Sequence, residues 1–169
     1  MIKKTVILIL FLLLCQLPGI IGSYFTISSI PVWYAGLNKP WFNPPNFLFG
    51  PVWFTLYIMM GISFYMIWNS KSEMSKKPAV IIFSIQLVLN TIWSVIFFGL
   101  KSPGLAFIEI ILLWVFILLS IIKFYPISKK ASYILIPNLL WVSYASVLTF
   151  SIWRLNSTGK SRQEYLCPQ

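Results

Sequence analysis

The chain has no histidine, and its only side-chain acids are Glu73, Glu109 and Glu164. That scarcity excludes a good deal of chemistry, because the usual zinc sites, a Ser-His-Asp relay and a paired-carboxylate glycosidase all draw on those residues. Common hydrolase activity is not expected, nor is a bound metal or an obligatory cofactor. Cysteine is nearly absent too: Cys15 and Cys167 are too few and too far apart to indicate a disulfide framework. No Gly-rich phosphate loop is present, and the Gly-Pro and Pro-Gly pairs read as turn or helix-end signals.

Charge is the next shortage. With 9% charged and 59% hydrophobic residues and a mean hydropathy of +0.84, the chain has too few charged side chains to cover a water-soluble globule. The neutral gaps run from Lys4 to Lys39, Lys39 to Lys71, Lys77 to Lys101 and Lys130 to Arg154, and the gap from Lys101 to Lys123 holds only Glu109. Each suits a span of roughly 20 apolar residues. The expectation is an all-α integral membrane protein, a bundle of five transmembrane helices over Thr5 to Phe25, Phe47 to Trp68, Ala79 to Phe98, Gly104 to Ile122 and Ala131 to Trp153. Continuous apolar runs disfavour a barrel, whose strands alternate. Residues 1–155 form the membrane domain, with a connecting loop at 26–46, and 156–169 form a polar, fraying tail.

Lys3 and Lys4 before "TVILILFLLLC" resemble a secretory signal, with cleavage near Gly22 or lipidation at Cys15 as alternatives. The apolar run continues past Pro18 and Gly19, which favours a retained helix. The net charge of +10 sits at helix ends, where it meets lipid headgroups and not nucleic acid. Eight basic residues fall on the side of the amino terminus and five on the other, which predicts a cytoplasmic amino terminus.

What the chain does have is rings and amides. On the second helix Trp53, Tyr57, Phe64 and Trp68 share a face around Gly61, and on the third Gln86, Asn90, Trp93 and Phe97 follow a 4, 3, 4 spacing. Tryptophans near helix ends, Trp33, Trp41, Trp68 and Trp153, read first as interfacial anchors. Gln86 and Asn90 are costly in hydrocarbon and face the bundle, as interhelical glue or as ligand contacts. Glu109 follows the helix start Ser102-Pro103-Gly104 closely enough for the helix dipole to ease its burial, either as a structural carboxyl or in a ligand or proton path.

Between the first two helices stands "WYAGLNKPWFNPPNFLFGPVWFTLYIMMG". This segment closely resembles the signature of the translocator protein family, also called tryptophan-rich sensory protein (TspO) or peripheral-type benzodiazepine receptor. The resemblance continues through "IQLVLNTIWSVIFFG" and "PNLLWVSYASVLTFSIWRLN", covering roughly residues 19 to 156. It implies five helices around a pocket for porphyrins, such as protoporphyrin IX or haem, and for synthetic isoquinoline or benzodiazepine-type ligands, with cholesterol bound by mitochondrial members. It also implies that the first loop closes over the pocket. The residues suit a lid: Pro40, Pro44 and Pro45 restrict the backbone, Trp33, Tyr34 and Trp41 offer apolar cover, and Lys39 offers a counter-charge to porphyrin propionates.

By the same resemblance, Trp53 and Trp141 match the tryptophans implicated in porphyrin binding and its light-driven degradation. Tyr34, Pro45, Tyr57, Gln86, Asn90, Trp93 and Ala145 match other pocket positions. The chain departs from vertebrate members at Asn43, where they have histidine, and at Leu105, where they have tryptophan. Phe150 replaces the tyrosine of the cholesterol-recognition pattern, so porphyrin is favoured over sterol. Ile81 and Ile85 occupy positions where small residues support a homodimer, which leaves dimerisation to another surface. The reading is a tetrapyrrole-binding receptor or sensor in a bacterial cell membrane, with a transporter of porphyrins or sterols as the alternative and a porphyrin-degrading enzyme behind both.

Overall fold

A computed structural model describes the backbone of residues 2–164 and the side chains of residues 3–157. Among the described residues, five helices are long and apolar enough to cross a membrane. In chain order they are α1 (Ile2–Ser29), α2 (Phe49–Trp68), α3 (Lys77–Ser94), α4 (Pro103–Phe124) and a fifth span made of α5 (Lys129–Ile134) and α6 (Ile136–Glu164). α1 packs on α2 and α3, α4 packs on α3 and α6, and α5 closes against α2 and α4. Large apolar side chains such as Leu13, Ile20, Ile108 and Leu140 are exposed on the outside of this bundle, the arrangement a hydrocarbon solvent requires.

Local chemistry sets the helix ends. Pro103 opens α4, where a missing N–H costs nothing, and Lys123 lies in its last turn, where its charge complements the dipole. The Ser128 hydroxyl accepts the Ala131 N–H at 3.4 Å and caps α5. Pro137 explains the break after α5. It has no N–H for Tyr133 O and its ring crowds that carbonyl, and just before it the Leu135 N–H bonds Ser132 O at 3.1 Å in a tighter turn.

The structure changes two of the expected boundaries. Helix α1 does not stop at Phe25: it runs to Ser29 and continues as a wide π turn over Ile30–Tyr34, in which the Ala35 N–H reaches back to Ile30 O at 3.0 Å. Pro31 is tolerated in the first turn of this segment, where its missing donor is not needed. The loop is therefore 35–45 and not 26–46, followed by a short 3-10 turn at Asn46–Leu48. The fifth span starts at Lys129, and its helix carries on through Glu164. Residues 156–164 are thus helical, because main-chain bonding needs no apolar side chain. The rest of the expected tail, with Cys167, lies outside the described residues.

Close approach of helices marks the packing. A Cβ on Gly61 would stand 3.0 Å from Leu12 Cα and 3.1 Å from Phe11 O, so the notch expected on α2 receives the backbone of α1. Serines fasten neighbouring elements, as in Ser63 Oγ to Ala131 O at 2.7 Å, Ser132 Oγ to Ile121 O at 2.9 Å and Ser29 Oγ to Phe98 O at 2.9 Å. The buried apolar residues divide into two clusters. One lies toward the loop at 35–45 and includes Tyr34, Trp93, Phe97, Phe98 and Leu148; the other lies toward the opposite face and includes Met60, Phe64, Phe83, Phe124 and Leu135.

Candidate ligand site

The site is built where two π turns end their helices. Beside the turn that closes α1, a second at Val95–Gly99 closes α3, with the Leu100 N–H bonded to Val95 O at 2.8 Å. Each widens the last turn and re-aims its side chains, and such turns recur at functional sites. Tyr34 from the first turn and Phe97 and Phe98 from the second are buried in the same cluster.

These rings border a narrow cavity of about 20 Å³. Trp53 and Phe49 contribute from α2 and Trp93 from α3, while Trp141, Ala145, Leu148, Thr149 and Ile152 line it from α6. The rings form a continuous wall: Trp53 lies 6.2 Å from Trp93 at 33°, and Trp93 stacks on Phe97 at 5.2 Å and 18°. Phe49 meets Trp141 edge-on at 6.4 Å. Within this apolar wall, the indole Nε1 groups of Trp93 and Trp141 are buried without a hydrogen-bond partner. A buried donor left unpaired costs about 1–3 kcal/mol, so an acceptor placed against either would recover that cost.

The loop is tied down against the loop-side cluster, on which Leu37 and Phe42 pack. Tyr34 Oη donates to Asn43 Oδ1 at 2.7 Å and Tyr144 Oη to Phe42 O at 2.8 Å. Asn156 holds the loop by both main-chain groups of one residue, accepting from Asn38 N at 3.0 Å and donating to Asn38 O at 3.0 Å. Lys39 caps the end of the first helix through Ala35 O at 3.1 Å and Leu37 O at 3.3 Å, with its ammonium 4.9 Å from the Tyr34 ring centre. The expected counter-charge is thus occupied with the loop's own carbonyls.

The residues singled out in the sequence separate into wall and surroundings. Tyr34, Trp53, Trp93, Trp141 and Ala145 line the cavity. Tyr57 lies behind the wall, buried and stacked on Trp53 at 5.6 Å. Trp33 packs edge-on against Phe97 at 5.5 Å, outside the lining. Trp41 is 95% exposed and covers nothing in the cavity, which fits an interfacial anchor. Pro45 is exposed and serves only the course of the loop. Gln86 and Asn90 are buried one to two turns beyond Trp93 and do not reach the lining. Glu109 is buried with both carboxyl oxygens unpartnered, away from the cavity. Among the described residues no cluster of three potential metal ligands exists.

Sequence reasoning missed Phe49, Phe98, Leu148, Thr149 and Ile152, and it placed Phe97 on the shared face of the third helix without naming it as a site residue. Leu148, Thr149 and Ile152 were accessible, since with Ala145 they recur at i, i+3, i+4 and i+7, one face of α6.

Residues 11–154 match the TspO/MBR family. The chain is 43% identical over 157 residues to the tryptophan-rich protein TspO of Chlorobaculum tepidum, covering 91% of this chain and 98% of that one. It is also 43% identical to the tryptophan-rich protein TspO of Archaeoglobus fulgidus, covering 82% and 90% respectively. With the translocator protein of Homo sapiens it shares 34% identity over 148 residues, 86% of this chain and 88% of the human one. The matched region contains the first span from Phe11 onward, the other four up to Arg154 and the whole cavity wall, and the chain is a multi-pass membrane protein that belongs to the TspO/MBR family.

Proposed function

We propose that the protein is a membrane receptor for tetrapyrroles, which it holds in the ring-walled cavity beneath the loop. The observation that carries this reading is the pairing of a tryptophan wall with two unpartnered indole N–H groups, on Trp93 and Trp141. A porphyrin presents a broad π face and anionic propionates. Indoles supply flat stacking surface, and free indole N–H groups supply donors for an acid oxygen without bringing a charge into an apolar site. The free space among the rings is about 20 Å³, room for about one water molecule and far less than a tetrapyrrole needs. Entry of a tetrapyrrole therefore involves release of the loop ties at Asn43, Phe42 and Asn38.

Trp53 and Trp141, with Trp93, also supply the most easily oxidised side chains at the site, so porphyrin excited by light would find its electron donors there. Light-dependent porphyrin loss is a secondary property in this reading, since the wall offers no carboxylate, imidazole, amine or thiol for steady turnover. Titration of the purified protein with protoporphyrin IX in darkness, followed by tryptophan quenching, tests the proposal. Saturable binding that weakens in Trp141→Ala is expected. Absence of saturable binding overturns it, and vectorial porphyrin flux in proteoliposomes would replace it with the transporter reading.

A further inference from the structure

A serine or threonine inside a helix can fold its hydroxyl back onto the carbonyl four residues earlier, a bond that needs no other helix. On α6, Ser143 donates to Leu139 O at 2.8 Å, Ser146 to Val142 O at 2.7 Å and Ser151 to Val147 O at 2.8 Å. Threonines of other spans do the same: Thr26 donates to Gly22 O at 2.8 Å and Thr55 to Pro51 O at 2.9 Å. Thr149 departs from this habit. Its hydroxyl bonds neither Ala145 O nor any other group among the described residues, although the residue is only 2% exposed. Thr149 borders the ring-walled cavity, and its oxygen is not sealed in, as the indole Nε1 groups of Trp93 and Trp141 are. In a residue so deeply buried, the surface left to that hydroxyl belongs to the cavity.

The rest of the wall is aromatic or aliphatic, and its one other hydroxyl, on Tyr34, already donates to Asn43 Oδ1 at 2.7 Å. An indole can only donate, whereas a hydroxyl both donates and accepts. We propose that Thr149 is a specificity-determining contact of this site, whose hydroxyl donates to an acid oxygen of the bound ligand and so favours tetrapyrroles with carboxylate side chains over those with alkyl side chains. The assignment rests on the tetrapyrrole reading above and adds the residue that tells the two kinds of ring periphery apart. Hydrogen bonds to ionised groups are the stronger ones. A site built with such a donor also rejects an analogue that leaves it unpaired.

Thr149→Val tests this, since it nearly keeps the side-chain shape and removes only the hydroxyl. Binding of protoporphyrin IX and of octaethylporphyrin, which carries ethyl groups and no acid, is measured in darkness by tryptophan quenching for both proteins, beside their melting temperatures. The variant should bind protoporphyrin IX roughly tenfold more weakly or worse, with octaethylporphyrin affinity unchanged. Its melting temperature should stay the same or rise, because the hydroxyl has no partner in the protein. Undiminished protoporphyrin IX affinity, or an equal loss for both porphyrins, overturns the assignment alone. A lowered melting temperature also overturns it, by giving the hydroxyl a structural role. Failure of the unaltered protein to bind either porphyrin saturably overturns the tetrapyrrole reading, and the assignment falls with it.

Discussion

The two halves of the bundle spend their aromatic rings in opposite ways. On the side away from the loop, Phe64 stacks on Phe83 at 4.6 Å and 10°, and Phe83 on Phe124 at 5.6 Å and 27°, so the rings fill the space between helices. On the loop side, Trp53, Trp93 and Trp141 stand around space. Trp53 joins the two, since it packs against both buried clusters. The difference teaches that a high ring content by itself specifies neither core nor pocket. What matters is whether opposing rings meet face to face or are held apart, and here the π turns at Ile30–Tyr34 and Val95–Gly99 accompany the second arrangement.

The comparison breaks most visibly in the filled half. Phe83→Ala leaves a hole where the ring was sandwiched, and it should destabilise the protein by about 3–5 kcal/mol. Thermal unfolding in detergent measures that loss, and the molecules still folded should bind porphyrin with unchanged affinity. A preserved melting temperature would mean that this half is not the stabilising one.

In the hollow half the same kind of truncation should act on binding first. Trp53→Ala or Trp141→Ala removes wall surface and should weaken protoporphyrin IX binding by about 1–3 kcal/mol of lost ring burial, with a smaller loss of stability than Phe83→Ala. Trp→Phe at either position keeps most of the stacking area. It should retain binding and slow light-dependent porphyrin loss, read from porphyrin absorbance under constant illumination.

The loop should give the smallest effect. Asn156→Ala removes both ties to Asn38, each worth about 0.5–1.5 kcal/mol. Porphyrin dissociation measured by stopped flow should accelerate several-fold at nearly constant melting temperature, roughly the consequence of losing 1 kcal/mol. An unchanged dissociation rate would show that the ligand leaves by a route the loop does not guard.

Much of this division was legible in the sequence, because hydropathy and helical periodicity report which faces are buried. The shared face of Gln86, Asn90, Trp93 and Phe97 is buried as its spacing predicts. Periodicity does not report depth, however. It could not distinguish Trp93, on the cavity wall, from Asn90 and Gln86, beneath it. Nor could composition separate Trp33, packed on Phe97, from Trp41, which is almost wholly exposed. The π turns were illegible for a related reason: the single extra residue in a turn leaves no compositional mark. Asn156 read as the start of a loose tail because its partner, the backbone of Asn38, lies 118 residues away in the chain.

The central claim is that the space between the loop-side rings is where ligand binds, and Ala145→Phe addresses it directly. Ala145 borders the cavity from α6, and a phenyl group there would occupy the space between the rings. Protoporphyrin IX affinity, measured by tryptophan quenching alongside the melting temperature, should fall at least about tenfold, or 1.4 kcal/mol, in a protein that remains folded. Full-affinity binding by the folded Ala145→Phe protein would contradict the account and place the ligand elsewhere on the bundle.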